Sequence, residues 1–153
     1  MASKLEVEIE LKTHSENLWK NLKEFITFFP KALPNMYEKI DVIEGDGRSV
    51  GSVFVSTLKP SELNPVVEVT KERIELLDEE KKILSYSFVE GEILKNYKNF
   101  RAIIRVSRSK SDGTIVNYLA EFEKANAEVP NPDFFKDYVA KLFHDVDDYL
   151  LKE

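Results

Sequence analysis

From Tyr37 to Glu123 the chain reads as one uninterrupted succession of short strands, and this run constrains its fold more than any other feature. Turn signals recur at Gly45-Asp46-Gly47, Pro60 to Pro65, Asp78-Glu79-Glu80, Glu90-Gly91-Glu92 and Ser111-Asp112-Gly113. The spacing predicts strands near 38–44, 52–58, 66–76, 83–89, 95–108 and 114–123. Alternation is clear in several of them: Tyr86 with Phe88; Phe100, Ala102, Ile104 and Val106; Val116, Tyr118, Ala120 and Phe122. Strands joined by such short turns pair antiparallel, because a parallel pair needs a crossover of a dozen or more residues. The strand near 66–76 changes phase, with Val67 and Val69 leading and Ile74 and Leu76 taking over. A bulge around Lys71 to Arg73 accounts for the change.

Helices are confined to the two ends of this meander. Residues 4–12 alternate strictly, with Leu5, Val7, Ile9 and Leu11 on one face, and form a half-buried strand. Ser15 can cap a helix carrying Leu18, Trp19, Leu22, Phe25 and Ile26. Pro30 and Pro34 shorten or break any helical continuation, so two short helices are expected. At the other end, Asn131-Pro132-Asp133 provides a cap, a first-turn proline and an acid. Phe135, Tyr138, Val139, Leu142, Phe143, Val146, Tyr149 and Leu150 then form one apolar stripe. Such a helix of about 20 residues is about 30 Å long, enough to cross a sheet. The class is therefore α+β: seven strands bending around one amphipathic helix, with an interior either filled by side chains or hollow.

At 153 residues the chain fits one domain spanning 1–153, large enough to bury a core without disulfides. Cysteine is absent, which excludes thiol catalysis and Cys-ligated zinc and agrees with a cytoplasmic setting. The N-terminal residues lack an apolar signal core, and no run approaches the length of a membrane span. The net charge of −6, with its positive charges scattered, argues against nucleic acid as a partner.

Several segments taken together resemble the plant major latex proteins, a branch of the birch-pollen-allergen superfamily with its START-like, helix-grip fold. They are Leu5 to Leu11; Phe28-Phe29-Pro30-Lys31-Ala32; Glu44-Gly45-Asp46-Gly47 with Gly51-Ser52; Lys71-Glu72-Arg73-Ile74-Glu75; Ser85-Tyr86-Ser87 with Glu90-Gly91-Glu92; Tyr97-Lys98 with Phe100; and Asp148-Tyr149-Leu150-Leu151-Lys152. The resemblance covers nearly the whole chain in order. It implies a seven-stranded sheet gripping the C-terminal helix around a large cavity. It also implies a hydrophobic plant metabolite (terpenoid, steroid, alkaloid or phenolic) as the partner and no cofactor; the oligomeric state, monomer or weak dimer, stays open. Some members of the superfamily are cofactor-free cyclases or isomerases of specialised metabolism; a role in defence, or an interaction with a signalling partner through ligand-dependent loops at Pro60 to Pro65 and Gly45 to Gly51, is a further reading.

The candidate residues follow from faces and phases. Gly45-Asp46-Gly47-Arg48-Ser49-Val50-Gly51 lacks the spacing of a phosphate-binding loop and reads as a hairpin loop with positive-φ glycines; the resemblance implies that it lies at the cavity's rim. Phe54, Val69, Tyr86, Phe88, Phe100, Tyr118, Phe122, Tyr138 and Leu142 are the candidate pocket wall, though an aromatic stripe serves equally as core packing. Catalytic candidates are Lys71 and Glu72, which a bulge can turn inward, the Tyr118 hydroxyl, and His144. His14 and His144, the only histidines, have no metal-binding spacing.

Overall fold

The computed structural model describes residues 2–60 and 68–152. The elements are β1 (Ala2–Leu11), α1 (Ser15–Leu22), α2 (Phe25–Ala32), β2 (Tyr37–Glu44), β3 (Val53–Leu58), β4 (Glu68–Asp78), β5 (Ile83–Glu90), a 3-10 turn (Glu92–Lys95), β6 (Tyr97–Arg108), β7 (Thr114–Lys124) and α3 (Asp133–Leu151). The described strands form one curved antiparallel sheet in the order β1-β7-β6-β5-β4-β3-β2. It is the expected meander from β2 to β7, with β1 returning to pair with β7 from Ala2↔Glu123 to Leu11↔Thr114. Of the turn expected over Pro60 to Pro65 only Pro60 is among the described residues, and Val67 lies outside them.

Two of the three described helices, α1 and α3, start one residue away from their sequence signals. His14, not Ser15, caps α1: its Nδ1 accepts the Glu16 N–H at 3.2 Å, and Ser15 is already helical. Pro132 occupies the N-cap of α3, and the Asn131 carbonyl accepts the Asp133 N–H at 2.8 Å, which starts the helix at Asp133. Pro30 sits inside α2, and the expected break falls earlier, between Leu22 and Phe25. The glycine loop has the expected backbone, with φ of 79° at both Gly45 and Gly47. It packs over the α1–α2 junction, where Arg48 Nε donates to Glu24 Oε2 at 2.9 Å. Asp46 organises the loop by accepting the backbone N–H groups of Arg48 and Ser49, which hold its carboxyl down at about 2.

The inner sheet face and α3 enclose the core. Leu5, Ile9, Val106, Val116, Ala120 and Phe122 are buried on the sheet, and Val139, Phe143, Val146 and Leu150 on the helix. One polar residue fastens the two layers. Asp147 on α3 accepts the Lys12 N–H at 3.1 Å, the Thr13 N–H at 2.9 Å and the Thr13 hydroxyl at 2.5 Å, which ties the last turns of α3 to the end of β1. Each of these donors lies just past β1, where the chain leaves the sheet and its N–H groups have no strand partner.

The phase of β4 differs from the sequence expectation. Thr70, Glu72 and Ile74 are buried and face inward, whereas Val69 is 55% exposed. Lys71 lies on the outer side with Val69 and pairs with Glu90 at 3.5 Å. The inward face therefore stays in phase from Thr70 to Ile74. The pairing shifts at two places: Val89 is the extra residue on β5 between Lys71 and Glu72, and Glu75 is extra on β4 after Ile74. The second shift turns Leu77 inward and leaves Leu76 exposed.

Candidate functional site

A cavity of about 510 Å³ opens between the inner face of β2–β5 and the first half of α3. That volume falls within the range of small-molecule sites, roughly 300–1,000 Å³. From the sheet, its wall receives Tyr37 and Ile40 on β2; Phe54, Ser56 and Leu58 on β3; Thr70 and Glu72 on β4; and Leu84, Tyr86 and Phe88 on β5. Ile104 and Tyr118 continue the wall onto β6 and β7, and Phe135, Tyr138, Val139 and Leu142 close it from α3. Glu92, Ile93, Asn96, Pro130 and Phe134 form the rim, where Phe134 is 53% exposed.

The register explains why these side chains converge. Phe54 lies opposite Glu72 and Ser56 opposite Thr70, so the β3–β4 pair sends all four to one face. Glu72 is 8% exposed, and its Oε2 accepts the hydroxyls of Ser56 at 3.0 Å and Thr70 at 3.1 Å. Burial raises its pKa to about 7, against the opposing pull of those two hydrogen bonds, and the Glu68 charge adds to the rise. Tyr86 and Tyr118 share a hydrogen bond of 2.8 Å between their hydroxyls. The pair spans β6, where Ala102 opposite Tyr86 leaves room to cross. Burial drives the phenols of Tyr37, Tyr86, Tyr118 and Tyr138 upward, so all four stay neutral at physiological pH. Although Tyr86 is only half-buried, its accessible surface opens onto the cavity.

Of the residues expected to form the pocket wall, Phe54, Tyr86, Phe88, Tyr118, Tyr138 and Leu142 lie on it. Phe100 and Phe122 do not. They stack on each other in the core with centroids 5.6 Å apart, and Phe100 supports Phe88 at 5.2 Å and Phe135 at 5.2 Å. Val69 is excluded because it occupies the outer face of β4. Of the catalytic candidates, Glu72 and Tyr118 reach the cavity, whereas Lys71 is outside and His144 is exposed on the far side of α3. The glycine loop, placed at the rim by the resemblance, contributes nothing to the wall. Sequence reasoning missed Ser56, Thr70, Tyr37 and Phe135. For the first two, the available signal was the pairing itself, since an inward Phe54 makes Ser56, two residues along, inward as well.

A curved antiparallel sheet wrapped around a C-terminal helix, with a hollow interior, defines a helix-grip protein. The chain matches the Pathogenesis-related protein Bet v 1 family over residues 1–153 and belongs to it. Members of this family bind hydrophobic ligands. It is 42% identical to MLP-like protein 423 of Arabidopsis thaliana over 149 residues, which cover 97% of this chain and 94% of that protein. The crystal structure of ginseng major latex-like protein 151 from Panax ginseng superposes with a TM-score of 0.86 at 21% identity, covering 97% of each chain. Norcoclaurine synthase from Thalictrum flavum shares the fold with a TM-score of 0.75 at 21% identity, covering all of this chain and 88% of that one.

Proposed function

We propose that this protein, acting as a single cytoplasmic domain over residues 1–153, binds one small hydrophobic plant metabolite of the terpenoid, steroid, alkaloid or phenolic kind in its internal cavity. The supporting observation is the 510 Å³ void with its largely aromatic and aliphatic wall, interrupted by a few converging polar groups. The rings supply contact area, and the hydroxyls and the Glu72 carboxyl orient a ligand's polar end. Thermal melting with a panel from the four classes tests the reading. A true ligand at a hundred times its Kd stabilises the fold by about 2.7 kcal/mol and raises Tm accordingly. A panel that leaves Tm unmoved contradicts the proposal.

Glu72 favours a second reading, a cofactor-free cyclase or isomerase. A carboxyl with a pKa near 7 that faces a cavity beside neutral phenols has the properties of a general acid–base group. Orientation by a shaped wall adds to the rate of a spontaneous ring closure. The product distribution of a reactive terpenoid or alkaloid intermediate, with and without protein, checks this reading. An unchanged rate and stereochemical outcome rule it out.

A further inference from the structure

The charges around the cavity have only one sign. Glu72 lies deep in the wall, Glu68 lies on the same strand, and Glu92 stands at the rim. Among the described residues no Lys, Arg or His lines the cavity, and the sequence of residues 61–67 contains none. Lys95, which pairs with Glu92 at 3.0 Å, is exposed and outside the wall.

Glu72 receives two neutral donors, the Ser56 and Thr70 hydroxyls, and these do not cancel its charge. A carboxylate taken out of water without a counter-charge is costly, and a cation brought to it recovers much of that cost. The surrounding rings also attract a cation: Tyr37, Tyr86 and Tyr138 share the cavity wall with Glu72, and their faces are electron-rich. By the same logic a ligand carboxylate or phosphate finds no cation on the described wall to pair with, only the carboxyls of Glu68, Glu72 and Glu92.

We propose that the ligand of this cavity carries a basic nitrogen and binds as an ammonium ion, with Glu72 as its counter-ion and the tyrosine and phenylalanine rings as its wall. The inference rests on the proposed binding function and narrows it to hydrophobic amines.

The test uses three probes with one ring system: 1-naphthylmethylamine, its uncharged counterpart 1-ethylnaphthalene, and 1-naphthylacetic acid. Affinities are measured by calorimetry from pH 6 to pH 8 on the wild type and on Glu72→Gln. At pH 8 the amine binds at least about tenfold tighter than ethylnaphthalene, and the acid binds weakest. Since Glu72 titrates near 7, amine affinity falls about tenfold from pH 8 to pH 6, while ethylnaphthalene stays level. The titratable groups that share the cavity with Glu72 are Glu68 on β4, Tyr37 on β2, Tyr86 on β5, Tyr97 on β6, Tyr118 on β7 and Tyr138 on α3, with Glu92 at the rim. The tyrosines remain neutral across this range, and the Gln variant assigns the slope to Glu72 by abolishing both it and the amine preference.

Equal affinity for amine and ethylnaphthalene overturns the inference and leaves the binding function standing. An amine preference that persists in a folded Glu72→Gln protein overturns it as well. Should that variant fail to fold, the wild-type pH slope decides alone, and a level amine profile overturns the inference. Failure of all three probes to bind overturns both readings.

Discussion

The two halves of α3 face different interiors. The last turns, with Val146 and Leu150, pack into a filled core and are fastened by Asp147 to Lys12 and Thr13. The first turns, with Phe135, Tyr138 and Leu142, face a void. The sheet divides in the same way. Opposite the anchored half its inner residues are aliphatic or small, such as Ile9, Leu11, Val106 and Val116. Opposite the open half, aliphatic residues such as Leu84 and Ile104 share the face with a concentration of aromatic and polar ones: Tyr37, Ser56, Thr70, Glu72, Tyr86 and Phe88. Stiff rings and hydrogen-bonded hydroxyls hold a wall without filling the space behind it, whereas branched aliphatics interdigitate and close it.

The largest expected contrast comes from truncating one leucine of the filled core and one on the cavity wall. Leu18 is fully buried in α1 away from the cavity, and Leu18→Ala should cost about 4 kcal/mol. Leu142 already lacks neighbours on its cavity side, so Leu142→Ala should cost about half as much while weakening ligand binding. Denaturant unfolding compares them, and equal losses would break the division into filled and open halves.

Glu72→Gln acts next, and its sign depends on pH. The folded-state pKa of Glu72 stands at about 7 against an ordinary 4.5, so the folded protein holds this proton more tightly than the unfolded chain does. Stability contributed by Glu72 therefore falls as pH rises from about 4.5 through 7, and the loss is complete above it. The Gln variant should be more stable than wild type by up to about 3 kcal/mol at pH 8 and nearly equal to it at pH 4. A pH-independent difference in melting would contradict a desolvated carboxyl at this place.

Asp147→Ala comes third, at about 2 kcal/mol, because the N–H groups of Lys12 and Thr13 and the Thr13 hydroxyl lose their shared acceptor. Ligand affinity should hold, since neither Asp147 nor the Lys12 and Thr13 it holds lines the cavity. Smallest is Lys71→Gln. Its ion pair with Glu90 is at the surface, so stability should change by less than about 0.5 kcal/mol and ligand affinity not at all. A loss of binding in this variant would place the outer face of β4 in the site.

The anchored half was the more legible in the sequence. Leu5 to Leu11, Val116 to Phe122 and the α3 stripe keep their periods because apolar residues face an apolar core. The open half obscures its own pattern. On β4 the inward positions Thr70 and Glu72 are polar and the outward Val69 is apolar, so hydrophobic alternation reports the wrong face until Ile74. Aromatic periodicity also does not separate a ring that lines a void from one that supports it, and so Phe100 and Phe122 grouped with Phe88 and Tyr118. Only cross-strand register and depth distinguish them, and both are tertiary properties.

The central claim is that the interior beside the first half of α3 is hollow and takes a hydrophobic molecule. Methyl NMR during titration with the neutral probe N-phenyl-1-naphthylamine tests it most directly. The account predicts saturable one-to-one binding, with intermolecular contacts to Leu84, Ile104 and Leu142 and none to Leu18, Val116 or Val146. Absence of saturable binding, or contacts confined to the outer surface around Val69 and Val42, would contradict it.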